Sequence, residues 1–142
     1  MPAARQLATF SLANLFFGVE VLNVQEVIRF QEMTPVPLAA AEIQGLINLR
    51  GQIVTAIDLR RRLGLPERRS DELPMNVVVT GESEVVSLLV DEIGDVIEVD
   101  ESTFEDSPST LADEVKQVLK GVYKLQGRLL LVLDIERASD VH

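Results

Sequence analysis

The side chains able to do chemistry are nearly all carboxylates and guanidiniums. The 142 residues hold 23 Asp and Glu against 13 Lys and Arg, one His and no Cys. His142 closes the chain, so nucleophile and base pairs built on imidazole or thiolate have no members. Metal binding would rest on carboxylates alone. The acids around Asp91-Glu92, Asp95 and Asp100-Glu101 lack the loop spacing and bend glycine of an EF-hand, and a solvated acidic face is the simpler reading. No GxxxxGK or GxGxxG segment offers a phosphate cradle. Carboxylate pairs dividing acid and base roles stay open, with nothing specific in their favour.

The elements that position the remaining candidates centre on Gly45 to Arg62, GLINLRGQIVTAIDLRRR. Two short apolar runs, Leu46 to Leu49 and Ile53 to Ile57, flank Arg50-Gly51-Gln52, where glycine supplies the positive φ of a tight hairpin. Asp58 then stands as an N-cap, with Leu59, Arg62 and Leu63 at helical spacing. The same grammar returns as GVYKLQGRLLLVLDIER, with Gly45, Leu49, Gly51 and Asp58 matching Gly121, Leu125, Gly127 and Asp134. Phe17 to Val21 and Asn23 to Val27 likewise lie against Val86 to Val90 and Glu92 to Val96. Two similar β units follow, about 6–65 and 75–137, each expected to close its own sheet.

Between them, Leu63 to Glu72 is polar, holds Gly and Pro and reads as the connector. Gln6 to Leu12 and Leu15 to Val21 read as strands. Leu22 to Arg29 shifts to helical spacing, with Leu22, Val24, Val27 and Ile28 able to share one face of a short helix or irregular bend. Phe30 to Ala41 carries Pro35 and Pro37, so it is a loop or an edge, and an unusually apolar one. Met75 to Val79 and Val85 to Val90 make a hairpin around Gly81 to Glu84. Val96 and Val99 are expected to point inward from the next strand, and Glu101 to Ser109 forms a surface loop. Thr110 to Val115 holds a brief helical turn. Long helical periodicity is absent, so the fold is mainly β.

Composition bounds the rest. Hydrophobic residues make up 46% and no run is long enough to span a bilayer. MPAARQL has no apolar signal segment, and the lack of Cys fits a reducing cytoplasm. Net charge is −10, and no Lys or Arg occurs between Ser70 and Val115, which excludes a nucleic-acid partner. Arg60-Arg61-Arg62 is expected to be a solvated face.

LNVQEVIR, GLINLRGQIVTAIDLRRRLGL, LLVDEIGDVIEV and GVYKLQGRLLLVLDIERA, in that order from Gln6 to Ser139, resemble the CheW family of bacterial chemotaxis coupling proteins. The resemblance implies a single CheW-like domain over 1–142, made of two interleaved SH3-like five-stranded β-barrels around a shared hydrophobic core. It implies no enzymatic activity and no cofactor. It implies two partners: the cytoplasmic tip of a methyl-accepting receptor, and the regulatory domain of the histidine kinase CheA, at membrane-associated arrays in the cytoplasm. Carried over, receptor binding falls to Val24, Glu26, Val27, Asn48, Arg50 and Val90, and kinase binding to Met33, Val36 and Pro37. Arg50 at a hairpin turn would supply an orienting charge held by Glu26, although a solvated turn residue is the plain alternative. Thr55 stands where the family usually has Pro, and the acidic run from Asp71 to Glu114 is heavier than the family pattern. Other readings are a CheW-like adaptor of a non-motility chemosensory pathway, a carboxylate-based small β-barrel enzyme or ligand sensor, and a self-associating barrel burying Met33, Val36 and Leu38.

Overall fold

The computed structural model describes residues 4–69, 71–82 and 84–141. In chain order it comprises β1 (Ala4–Leu12), β2 (Leu15–Glu20), a 3-10 turn at Val21–Asn23, β3 (Val24–Ile28), β4 (Ile43–Leu49), β5 (Gln52–Asp58) and α1 (Leu59–Arg62). There follow β6 (Met75–Thr80), β7 (Val85–Val90), β8 (Glu92–Asp100), a second 3-10 turn at Glu101–Thr103, β9 (Phe104–Glu105), α2 (Asp113–Lys116), β10 (Leu119–Leu125), β11 (Arg128–Leu133) and α3 (Ile135–Ser139). The chain is therefore mainly β. The segment from Leu22 is a correction: apart from the single 3-10 turn it is strand β3, antiparallel to β6, not a short helix. Val24, Val27 and Ile28 gain ladder partners on β6, across a bulge between Val24 and Glu26, which outweighs a helical spacing only one turn long.

The strands form two sheets, ordered β8-β1-β2-β11-β10-β9 and β3-β6-β7-β5-β4. Neither half of the chain closes its own sheet. The β1–β2 hairpin joins the strands of the second half, and the β6–β7 hairpin joins those of the first. The exchange is matched position by position. Phe17 pairs parallel with Leu131, and Val86, its counterpart, pairs parallel with Thr55, the counterpart of Leu131. Bulges fall at Ile43/Gly45 in one hairpin and at Leu119/Gly121 in the other.

Each sheet curls around its own small core. Leu7, Val99, Tyr123, Leu130 and Val132 fill the first. Ile47, Leu49, Val54 and Val78, with Ile28, Met33 and Val85 against them, fill the second. The largest cluster lies where the barrels meet, and it draws Phe10, Phe17 and Val19 from one sheet and Ile57, Val77, Leu88 and Val90 from the other. On β8, Val99 is buried but Val96 is 59% exposed, correcting the expectation that both face inward. Positions three apart on a strand point to opposite faces, so the half-buried Ile97, not Val96, shares Val99's side.

Glycines sit where the edges are covered. A Cβ on Gly121 would run into Phe104 Cζ and lie 2.5 Å from the Glu105 carbonyl oxygen, and one on Gly45 would lie 2.8 Å from the Thr34 carbonyl oxygen. Gly121→Ala is expected to lower stability by about 1–3 kcal/mol through overpacking. The check is the melting temperature; an unchanged value would mean that β9 gives way without cost.

Candidate functional site

The turn between β4 and β5 is built from local chemistry. Arg50 (φ 51°) and Gly51 (φ 88°) both take the left-handed conformation of a type I′ turn. The Asn48 side-chain oxygen accepts the Gly51 N–H at 2.9 Å, fixing the turn from one residue before it. Glycine tolerates this backbone; arginine is strained in it. The Arg50 side chain, 76% exposed, reaches across to an ion pair with Glu26 on β3, whose side chain is 17% exposed. Gln25 Nε2 donates to Gln52 Oε1 at 3.4 Å beside it. Because β3 and β4 are the two edges of the five-stranded sheet, these side chains close the barrel where no backbone ladder does. In water such an exposed ion pair is worth at most ~1 kcal/mol, so it sets the orientation of Arg50 more than it stabilises the fold.

The structure thus brings Glu26, Asn48 and Arg50 together. Exposure alternates along β3, with Val24, Glu26 and Ile28 half-buried and Gln25 and Val27 exposed. Val27 therefore points away from the Glu26 side of the strand, while Val24 packs against the inter-barrel core. Val90 has 0% exposure and reaches no partner surface; whatever it does, it does through packing.

The apolar loop before β4 is held at an edge. Thr34 and Leu46 exchange two backbone hydrogen bonds of 2.8 Å. Met33 is half-buried against the second barrel's core, whereas Val36 and Pro37 are exposed. The Ala39 N–H donates to the Val36 carbonyl at 3.4 Å, closing a turn with Pro37 and Leu38 at its centre. Leu38 sits at φ 63°, where a type II turn favours Gly or Asn, and its side chain is fully exposed. Met33, Val36 and Pro37 are thereby presented on one short segment, about a rigid two-proline backbone.

Exposed apolar residues that sequence reasoning did not place at the surface include Ile93 and Val96 on β8, Ile53 on β5, and Leu22. The repeat carried the signal for the first two, since they occupy the positions that Val24 and Val27 hold in the first half.

The arginine run is also corrected. Arg60 is not solvated: its Nε and Nη2 donate to the two oxygens of Asp91 at 2.9 and 2.5 Å, and its Nη1 donates to the Pro66 carbonyl at 2.9 Å. Arg61 Nη1 donates to the Ala41 carbonyl, and Arg62 Nη2 to that of Arg137. Asp58 is the N-cap expected of it, accepting the Arg60 N–H at 3.1 Å.

Burial pushes the Asp91 carboxyl up, but hydrogen bonds from Arg60, the Ala13 N–H and Arg68 outweigh it and hold the group down at about 2. Asp100 is lowered by the backbone and hydroxyl donors of Ser102. Both shifts favour the ionised form, the reverse of what a general acid at neutral pH needs. Among the described residues no group of three or more His, Cys, Asp or Glu is placed to hold a metal ion.

Comparison with known proteins agrees with this arrangement. The model of the CheW-like domain matches residues 6–141. The chemotaxis protein CheW of Bacillus subtilis is 30% identical over 135 residues, 95% of this chain and 86% of the relative. That of Treponema pallidum is 30% identical over 136 residues, 93% of this chain and 80% of the relative. The crystal structure of the scaffolding protein TtCheW from Thermoanaerobacter tengcongensis superposes with a TM-score of 0.87 at 28% identity, covering 100% of this chain and 95% of that one. With its two interleaved barrels, its turn at Asn48-Leu49-Arg50-Gly51 and a match spanning nearly every residue, the chain belongs to the CheW-like domain family.

Proposed function

We propose that this chain is a non-enzymatic coupling adaptor of a chemosensory pathway, joining a methyl-accepting receptor tip to the regulatory domain of a CheA-type histidine kinase. The observation that carries the reading is Arg50: an arginine in a left-handed turn, braced by Asn48, ion-paired to Glu26 and still three-quarters open to solvent. Strain and exposure on one charged residue are the mark of a group kept for recognition. Val24, Glu26, Val27, Asn48 and Arg50 form the receptor-facing set, Val27 from the exposed side of β3, and Val90 contributes only through the buried core. Met33, Val36 and Pro37 form the kinase-facing set. Reversible signalling contacts of this kind rest on a few anchors and an orienting charge rather than on a large obligate interface.

The same reading places the protein in the cytoplasm at receptor arrays. Among the described residues no helix is long and apolar enough to cross a membrane, so contact with the bilayer would come through the receptor. Residues 1–142 act as one domain, with 6–65 and 75–137 as duplicated units whose hairpins have exchanged.

The test pairs binding with stability in Arg50→Gly. Glycine relieves the left-handed strain, so the melting temperature is expected to hold or rise by the equivalent of up to ~1 kcal/mol. Affinity for a receptor-tip fragment or for the kinase regulatory domain is expected to fall at least tenfold. Unchanged affinity for both would remove Arg50 from the site. Failure of the parent protein to bind either partner at tens of micromolar would leave the fold and end the coupling reading.

A further inference from the structure

The two barrels are joined at two junctions, where the chain passes from one sheet to the other, and the repeat makes these equivalent. At the first, Val21–Asn23 leads from β2 to β3; at the second, Asp91 leads from β7 to β8. Asp91 takes the place in the repeat that Leu22 holds. Around Asp91 the junction is fastened tightly. Its carboxylate accepts the Ala13 N–H at 2.8 Å, from the β1–β2 turn of the first barrel. It also accepts Arg60 Nε at 2.9 Å from α1 and Arg68 Nε at 3.1 Å from the connector, both on the side of the second barrel. The Asp91 N–H donates to the Ser11 carbonyl. Arg60 and Arg68 side chains are 14% and 9% exposed, so this network is largely shielded from solvent.

The Leu22 junction has none of this. Leu22 is 94% exposed. Glu136, which replaces Arg60 in the repeat, carries the opposite charge, and among the described residues its carboxylate accepts the Glu82 N–H of the β6–β7 turn. The cleft there, lined by Glu20, Leu22, Lys120, Asp134 and Glu136 among others, measures about 470 Å³.

We infer that Asp91 is a positioning residue that sets the angle between the barrels, and that they open and close at the Leu22 junction with the Asp91 network as pivot. A carboxylate tied to both barrels by directional, charge-assisted bonds resists rotation; the Leu22 side, where the described residues cross between barrels by the Glu82 N–H to Glu136 and the Arg62 Nη2 to the Arg137 carbonyl beside an open cleft, resists it less. The consequence for coupling rests on the adaptor reading above, because a partner that touches both barrels would feel the angle and one that touches a single loop would not.

The chain contains no Cys, so two introduced cysteines carry unique spin labels. Ile53→Cys on β5 and Lys124→Cys on β10 place one exposed label on each barrel. Double electron–electron resonance on the otherwise unaltered protein is expected to give a narrow distance distribution. Adding Asp91→Asn should make it at least twice as wide while the far-ultraviolet circular dichroism stays native. Arg68→Gln, a milder break of the same network, should give an intermediate width. A distribution unchanged in both variants, even with a lowered melting temperature, would overturn the inference and leave Asp91 a local stabiliser. This measurement uses no partner, so its outcome is independent of whether the coupling reading stands.

Discussion

Phe17→Ala is expected to lower stability by about 3–5 kcal/mol, a large part of the ~5–15 kcal/mol that holds a domain of this kind folded. Phe17 has 0% exposure. Its ring stacks on Phe10 with centroids 5.6 Å apart and planes 13° from parallel, and its backbone pairs with Leu131 on the parallel strand. It therefore packs where the first barrel, the second barrel and the exchanged hairpin all meet. Truncation opens a cavity that three elements would have to move to refill. Chemical denaturation with the midpoint and slope both measured is the check. A loss below about 1 kcal/mol would show that the shared core collapses around the gap, and the two barrels are then less rigidly joined than their packing indicates.

The second large effect is acid sensitivity through Asp91. The folded carboxyl titrates at about 2 against 3.8 for the unperturbed group. A carboxyl lowered on folding contributes stability that is fully present above the unfolded value and is lost as pH falls from 3.8 towards 2. The full shift would correspond to about 2.4 kcal/mol, and partial solvation of the group reduces it to roughly 1–2 kcal/mol. Asp91→Asn should cost about 2 kcal/mol at pH 7, because Arg60 and Arg68 lose their shared anion in a partly buried place. The same variant should lose less stability than the parent between pH 4 and 2. Equal slopes for the two proteins across that window would mean that Asp91 is not the group being titrated.

Much of the fold was legible wherever local chemistry decides. The Asn48-Leu49-Arg50-Gly51 and Leu125-Gln126-Gly127 turns, and the Asp58 and Asp134 caps, announce themselves because glycine conformation and side-chain capping act within a few residues. The repeat was legible for the same reason. The exchange of hairpins was not, since Phe17 and Leu131 are apolar like many other residues and nothing near either names its partner. Residues 22 to 29 misled because a five-residue strand and a single helical turn share spacings, and only the β6 partner decides between them. Arg60 looked solvated because the carboxylate that buries it lies 31 positions away. In the candidate site, Glu26, Asn48 and Arg50 were found through family resemblance and then met in space, whereas Ile93 and Val96 needed the repeat to be carried one step further.

The exchanged hairpin also has a temporal consequence. β2 leaves the ribosome early, but its parallel neighbour β11 begins at Arg128, more than a hundred residues later. At ~5–20 residues per second, the free backbone edge of β2 must wait roughly 5–20 s for its native partner. The β6–β7 hairpin has no such delay, because β5 is already made when it emerges. Synthesis thus completes the second barrel first and holds the earliest strands in reserve, so a nascent chain stalled before residue 128 displays an unpaired edge beside a finished barrel. Pulse-labelled nascent chains should bind a general chaperone until β11 has cleared the ribosome and release it soon afterwards.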